Sequence, residues 1–305
     1  MGCVIGGWVM RLMIAYLATP GGADALALGV RLARTLGAEI DICLVLPRRD
    51  DLASTVATGG YEKHLTDQAH EWLAAAMAKV PKDVVARSHV NLDDSVAEGL
   101  IDAAVQLGAE AVVVGGSGGG LAANYTLGSV VNELLHSSPV PVVVAPRGAR
   151  ESTIDRVREV TCAIGERKGA DVLLDNAFRV SEAAGTPLRL VSLVALDPVS
   201  GGLAGGDDAI HQRAVEHAFR TLDAAKKALP EGFPVTATVA EGDTVEQAVQ
   251  NLDWHDGDLI MVGSSRLGTP RRTFLGSTAA KMLRVLDVPM VVVPKAEVGA
   301  EQLPH

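Results

Sequence analysis

The strongest constraint on this chain is that it repeats itself. Residues 112–146, VVVGGSGGGLAANYTLGSVVNELLHSSPVPVVVAP, align without a gap on residues 260–294, IMVGSSRLGTPRRTFLGSTAAKMLRVLDVPMVVVP. Gly115 falls on Gly263, Gly128-Ser129 on Gly276-Ser277 and Pro146 on Pro294, each pair 148 positions apart. The turn around Gly37 meets the turn around Gly185 at the same offset. A fixed offset over that distance means duplication of a whole domain. The expected domains are therefore residues 1–149 and 150–305, with residues 1–10 as an extension before the first strand.

Each copy reads as strands alternating with helices. In the first half, apolar runs at Leu12–Leu17, Glu39–Leu46, Val84–Val90, Ala111–Val114 and Val140–Ala145 alternate with helical patterns that begin near Asp24, Tyr61, Ser95 and Val130. The second half repeats the order from Glu159–Ile164 to Met290–Val293, including a helix over Ala170–Ala184. Continuously apolar strands separated by helices imply a parallel sheet covered on both faces. With 48% apolar and only 3% aromatic residues, its core has to be aliphatic. The fold class is α/β: two Rossmann-like domains, each a five-stranded parallel sheet.

Charge and cysteine usage exclude some functions. A net charge of −10 argues against nucleic-acid or anionic-membrane surfaces, which are held by clustered Lys and Arg. Cys3, Cys43 and Cys162 form no CxxC spacing, so the expected compartment is reducing and cytoplasmic. Arg11 interrupts an N-terminal apolar run that is too short to span a bilayer, so no membrane insertion is expected.

The chemistry lies in the glycine stretch. An apolar strand runs into Gly115 and Gly118, and Gly128-Ser129 then opens a helix. Glycines let the backbone approach a ligand, and the unpaired N–H groups of a first helical turn favour an anion, best of all a phosphate. The spacing Gly115-x2-Gly118-x9-Gly128-Ser129, set between an apolar strand and a final PVPVVVAP strand, resembles the nucleotide-binding signature of universal stress proteins. The resemblance covers residues 12–147 and 158–295 and makes the chain similar to a tandem member.

That resemblance implies strand order 3-2-1-4-5, with the ligand crevice between the first and fourth strands. It implies an adenine nucleotide, ATP with magnesium in first place and AMP or cyclic AMP as alternatives. Carried over by position, the phosphate residues are Gly115, Gly118, Gly128, Ser129 and Val130, and the adenosine wall is Ala15, Leu17, Val45 and Val114. The second-half set is Gly263, Arg266, Gly276, Ser277 and Thr278.

The chain departs from the family pattern in two places. The aspartate that usually ends the first strand is replaced by Leu17 and, in the repeat, by Gly165. The second signature glycine of the second half is replaced by Arg266, which either fills that site or, with Arg271 and Arg272, holds an anion through side chains; a solvated basic loop is the plainer reading. The first half is therefore the expected binding site. No positioned general base or arginine finger is evident, so at most slow ATP hydrolysis is expected and the chain reads as a stress sensor or regulator. The alternative is an interaction module that docks a regulatory partner protein or transporter without nucleotide. The flat apolar final strands are expected to pair with each other, giving an internal pseudo-dimer that could itself form a homodimer.

Other constellations are weaker. Gly115-Gly116-Ser117-Gly118-Gly119 matches a G-x-S-x-G nucleophile elbow in letters only, because the helix starts too late. His64 with His70 and His211 with His217 are six apart, which does not place either pair on one helical face for a metal. Asp94-Ser95 and Asp243-Thr244 read as helix N-caps.

Overall fold

The computed structural model describes residues 9–48, 58–116, 128–166, 169–195, 207–264 and 273–295. Residues 1–8 of the expected extension, Gly118, the stretch 200–206, Arg266, Arg271 and Arg272 lie outside the described residues. The first half runs β1 (Arg11–Ala15), α1 (Pro20–Leu36), β2 (Glu39–Pro47), α2 (Thr58–Met77), β3 (Ala86–Asp93), α3 (Val96–Gln106), β4 (Ala111–Gly115), α4 (Ser129–Ser137) and β5 (Val142–Ala145). After a 3-10 turn at Ala149–Glu151 the second half follows. It comprises β6 (Glu159–Ala163), α5 (Ala170–Ala184), β7 (Leu188–Ala195), α6 (Asp207–Ala228), β8 (Val235–Gly242), α7 (Val245–Gln250), β9 (Asp258–Gly263), α8 (Ser277–Leu283) and β10 (Met290–Val293).

Local chemistry explains the helix ends. The Thr19 hydroxyl accepts the Gly22 N–H at 3.2 Å and Pro20 occupies the first position of α1. Gly37 (φ 68°) and Gly185 (φ 64°) close α1 and α5 in the left-handed region, which accounts for their common place in the repeat. Ser95 and Thr244 cap α3 and α7 through the amides of Glu98 and Gln247.

The ten strands of the described residues form one sheet, ordered β3-β2-β1-β4-β5-β10-β9-β6-β7-β8. Each half supplies the order 3-2-1-4-5 with parallel pairing, and the halves meet where β5 and β10 pair antiparallel, Val143 opposite Val291. The sheet is thus continuous across the repeat rather than two separate sheets. Because side chains alternate along a strand, Ile14, Ile40, Ile42 and Leu44 enter one core with α1, α2, α5 and α6. Met13, Cys43 and Val45 enter the other with α3, α4, α7 and α8. The seam strands are buried along their whole length, and β3 and β8 carry the exposed residues at the outer edges.

The segment between the halves is clamped by α1. Asp24, 1% exposed, accepts the amides of Gly148 and Arg150 and the Arg150 guanidinium at 2.9–3.1 Å. Two turns further, Arg31 donates to the Ile154 carbonyl at 2.9 Å and the Thr35 hydroxyl accepts the Val157 amide at 2.9 Å. The corresponding residues of α5 are Val172, Arg179 and Ala183, so the Asp24 carboxylate and the Thr35 hydroxyl have no counterpart there.

A half-buried ion pair is reversed between the halves. Arg11 of β1 faces Asp41 of β2 at 3.5 Å, whereas Glu159 of β6 faces Arg189 of β7 at 3.1 Å, and the two pairs occupy the same repeat positions. Asp41 is further held by His89 at 2.8 Å, and Arg189 lies over the Trp254 ring at 4.7 Å. Burial pushes the Glu159 carboxyl above its ordinary range even though Arg189 pulls it down.

Candidate functional site

In an open α/β sheet a ligand crevice lies beyond the carboxyl ends of the strands where the order reverses, here at β1/β4 and β6/β9. The two crevices are built differently. In the first half the opening turn of α1 sits on the end of β4. A Cβ placed on Gly115 would overlap the carbonyl oxygen of Gly21, and one on Gly21 would lie 2.8 Å from the Gly116 oxygen. Helix–strand packing alone therefore demands glycine at Gly115.

In the second half that corner is open. Helix α5 starts at Ala170, two positions later than α1 once the repeat offset is applied. Among the described residues, a Cβ on Gly263 would meet only the Leu173 side chain, at 3.6 Å and beyond, an ordinary contact, and one on Gly165 would meet nothing within 4 Å. A cavity of about 330 Å³ fills the space, lined by Ala163 and Gly165 after β6, Leu193 on β7, Val262 to Ser264 at the end of β9, and Thr278 on α8. Gly169 at the N-cap of α5, Ala170 and Leu173 of that helix and Lys295 after β10 also line it. This volume lies at the lower end of the range for small-molecule sites, ~300–1,000 Å³.

The residues implied by the family signature are placed as follows. Ala15 ends β1 half-buried, but β1 stops there, so Leu17 lies beyond the strand, 52% exposed, with its carbonyl accepting the Thr19 amide. Val45 and Val114 are core residues. Gly128 and Gly276 are the N-caps of α4 and α8 with ordinary extended backbone (φ −70° and −72°) and no side-chain cap among the described residues. Ser129 and Ser277 are exposed, and Val130 and Thr278 are half-buried. Their counterparts across the crevice in the second half, Gly263 and Thr278, share the cavity wall.

Ser264 was not marked by the motif. It stands where the first half has Gly116, and its hydroxyl accepts the Phe274 amide at 2.6 Å. The signal available was a side chain appearing inside a glycine run in only one copy.

Among the described residues no carboxylate, histidine or cysteine lines the cavity. Cys43 and Cys162 are buried thiols pushed up to about 12 by desolvation, unsuited to nucleophilic chemistry. The Ser117 elbow lies outside the described residues, and α4 begins well after β4 ends. His211 pairs with Glu241 at 2.8 Å and His70 with the Thr66 carbonyl at 2.7 Å. Among the described residues no group of three metal-ligating side chains converges. No helix among them is long and apolar enough to cross a membrane.

The universal stress protein family model matches the chain twice, over residues 9–146 and 156–294. The chain belongs to the universal stress protein family. It holds two tandem copies and carries the family's stress-response role. Universal stress protein Rv2319c of Mycobacterium tuberculosis is 29% identical over 297 residues, covering 93% of this chain and all of that one. In fold, the chain is similar to a universal stress protein from Archaeoglobus fulgidus DSM 4304, with TM-score 0.67, 20% identity, 93% of this chain and 98% of that one. A functionally unknown protein from Pseudomonas aeruginosa PAO1 has TM-score 0.58 at 15% identity over 94% of this chain and 93% of its own.

Proposed function

We propose that this universal stress protein is a regulator that binds an adenine nucleotide, ATP with magnesium in first place, and acts by binding rather than turnover. The carrying observation is the second-half cavity at the β6/β9 reversal point, bounded by a glycine whose Cβ position is free. The signature favours the first half, because its glycines are intact. The geometry favours the second, because Gly115 is already explained by contact with Gly21.

Calorimetric titration with magnesium–ATP tests this reading. One saturable site per chain is expected, lost in Gly263→Leu, which fills the cavity, and kept in Gly118→Arg. Loss in Gly118→Arg alone would return the site to the first half. No saturation at millimolar ATP would favour the docking of a protein partner instead.

A further inference from the structure

The wall of the second-half cavity is anchored in the first half. Ser264, at the end of β9, donates its amide to the Val293 carbonyl at 2.8 Å, and its hydroxyl accepts the Phe274 amide at 2.6 Å and reaches the Phe274 carbonyl at 3.3 Å. Two residues ten positions apart are thereby tied together beside the cavity. The residues on either side of Phe274 then reach across the repeat. Thr273 donates its amide to the Ser138 carbonyl at 2.8 Å and its hydroxyl to the Leu134 carbonyl at 2.8 Å. Leu275 donates its amide to the Leu135 carbonyl at 3.0 Å, and the Phe274 ring meets the edge of His136 at 4.8 Å.

These acceptors belong to the last turn of α4 and the residue after it. Leu134 already accepts the amide of the C-cap Ser138, while the Leu135 and Ser138 carbonyls lie beyond that last helical bond, so the 273–275 segment completes the end of α4. Thr273 is fully buried, which makes its hydroxyl bond one that water cannot replace. Immediately afterwards Gly276 caps α8, whose Thr278 faces the cavity. A continuous chain of short bonds therefore runs from the cavity wall to a helix of the other repeat.

We propose that Ser264 and Thr273 are positioning residues of the second-half crevice, hanging its wall on α4, so that the site is an interdomain one. This rests on the nucleotide reading given above. By linkage, a ligand whose affinity depends on that docking strengthens the docking by the same factor. At the position of Ser264 the first half has Gly116, which offers no hydroxyl.

The test measures magnesium–ATP affinity by calorimetry in the full chain, its Ser264→Ala, Ser264→Thr and Thr273→Val variants, and amide exchange at Thr273 and Leu275 with and without ATP. Ser264→Ala and Thr273→Val should each weaken binding roughly five- to twentyfold, the loss expected for a buried hydrogen bond. Ser264→Thr should restore affinity, and ATP should slow exchange at both amides. A merely structural role would lower the melting temperature without the Thr rescue and without ligand-dependent exchange. Wild-type affinity in both hydroxyl-deleted variants, or exchange indifferent to ATP, overturns the inference while leaving the nucleotide reading intact. A wild-type chain that does not bind ATP overturns both.

Discussion

Gly115 and Gly263 occupy the same position of the repeat and are glycine for different reasons. At Gly115 the carbonyl of Gly21 fills the place a side chain would take; at Gly263 that place is the wall of a cavity. A delay of two residues in the start of the first helix of the repeat separates the two cases. One letter in a motif thus stands for helix–strand packing in one copy and for accessible backbone in the other. A signature alone does not identify which of its copies has room for a ligand.

The comparison can be broken most directly at those two glycines. Gly115→Ala should cost about 3 kcal/mol in denaturant unfolding, the upper end for overpacking, because both clashing groups are backbone and cannot rotate away. Gly263→Ala should stay within about 0.5 kcal/mol of wild type while weakening ATP binding. Equal stability losses would remove the distinction between the two corners.

The next effect concerns the Asp24 clamp, whose carboxylate α5 replaces with Val172. Asp24→Asn weakens a buried acceptor for two amides and a guanidinium, and should cost about 2 kcal/mol by the same measurement. The matching change at Val172 of α5, Val172→Ala, touches no part of the connecting segment and should leave Gly148 and Arg150 amide exchange unaltered. Faster exchange at those amides in the Val172 variant would show that the clamp is shared by both halves.

The smallest effect probes the reversed ion pairs. Exchanging both first-half charges, Arg11→Glu with Asp41→Arg, copies the second-half arrangement and should lie closer to wild type than the sum of the single changes by about 1 kcal/mol of coupling. Strict additivity would mean that Arg11 and Asp41 do not interact energetically, and that the reversal is incidental.

Much of this fold is legible in the sequence because local and global signals agree. Helix α5 and strand β10 occupy the residues that periodicity marks, and Gly37 and Gly185 end their helices as their shared spacing implies. The edges are less legible. Strand β3 starts at Ala86 and runs to Asp93, later than its apolar run suggests, because the outer strand pairs on one side only and takes its register from β2. Helix α2 begins at Thr58, ahead of the pattern that starts near Tyr61, because Gly59 and Gly60 carry no periodicity. Strand β1 stops at Ala15, so Leu17 belongs to the turn that feeds α1. The candidate site is the least legible part. Where α5 starts, and how Thr273 meets α4, depends on contacts between residues more than a hundred positions apart, and no local pattern carries that information.

The antiparallel seam between β5 and β10 has a consequence for how the protein behaves in a cell. Two separate chains joined by such a seam would come apart on dilution and would be bound by two-fold symmetry to carry identical surfaces. Here the connecting segment keeps the partners at a fixed effective concentration, so assembly does not vary with expression level. Released from symmetry, one half is free to close its crevice and serve as scaffold while the other keeps an opening, a division of labour that identical subunits cannot adopt.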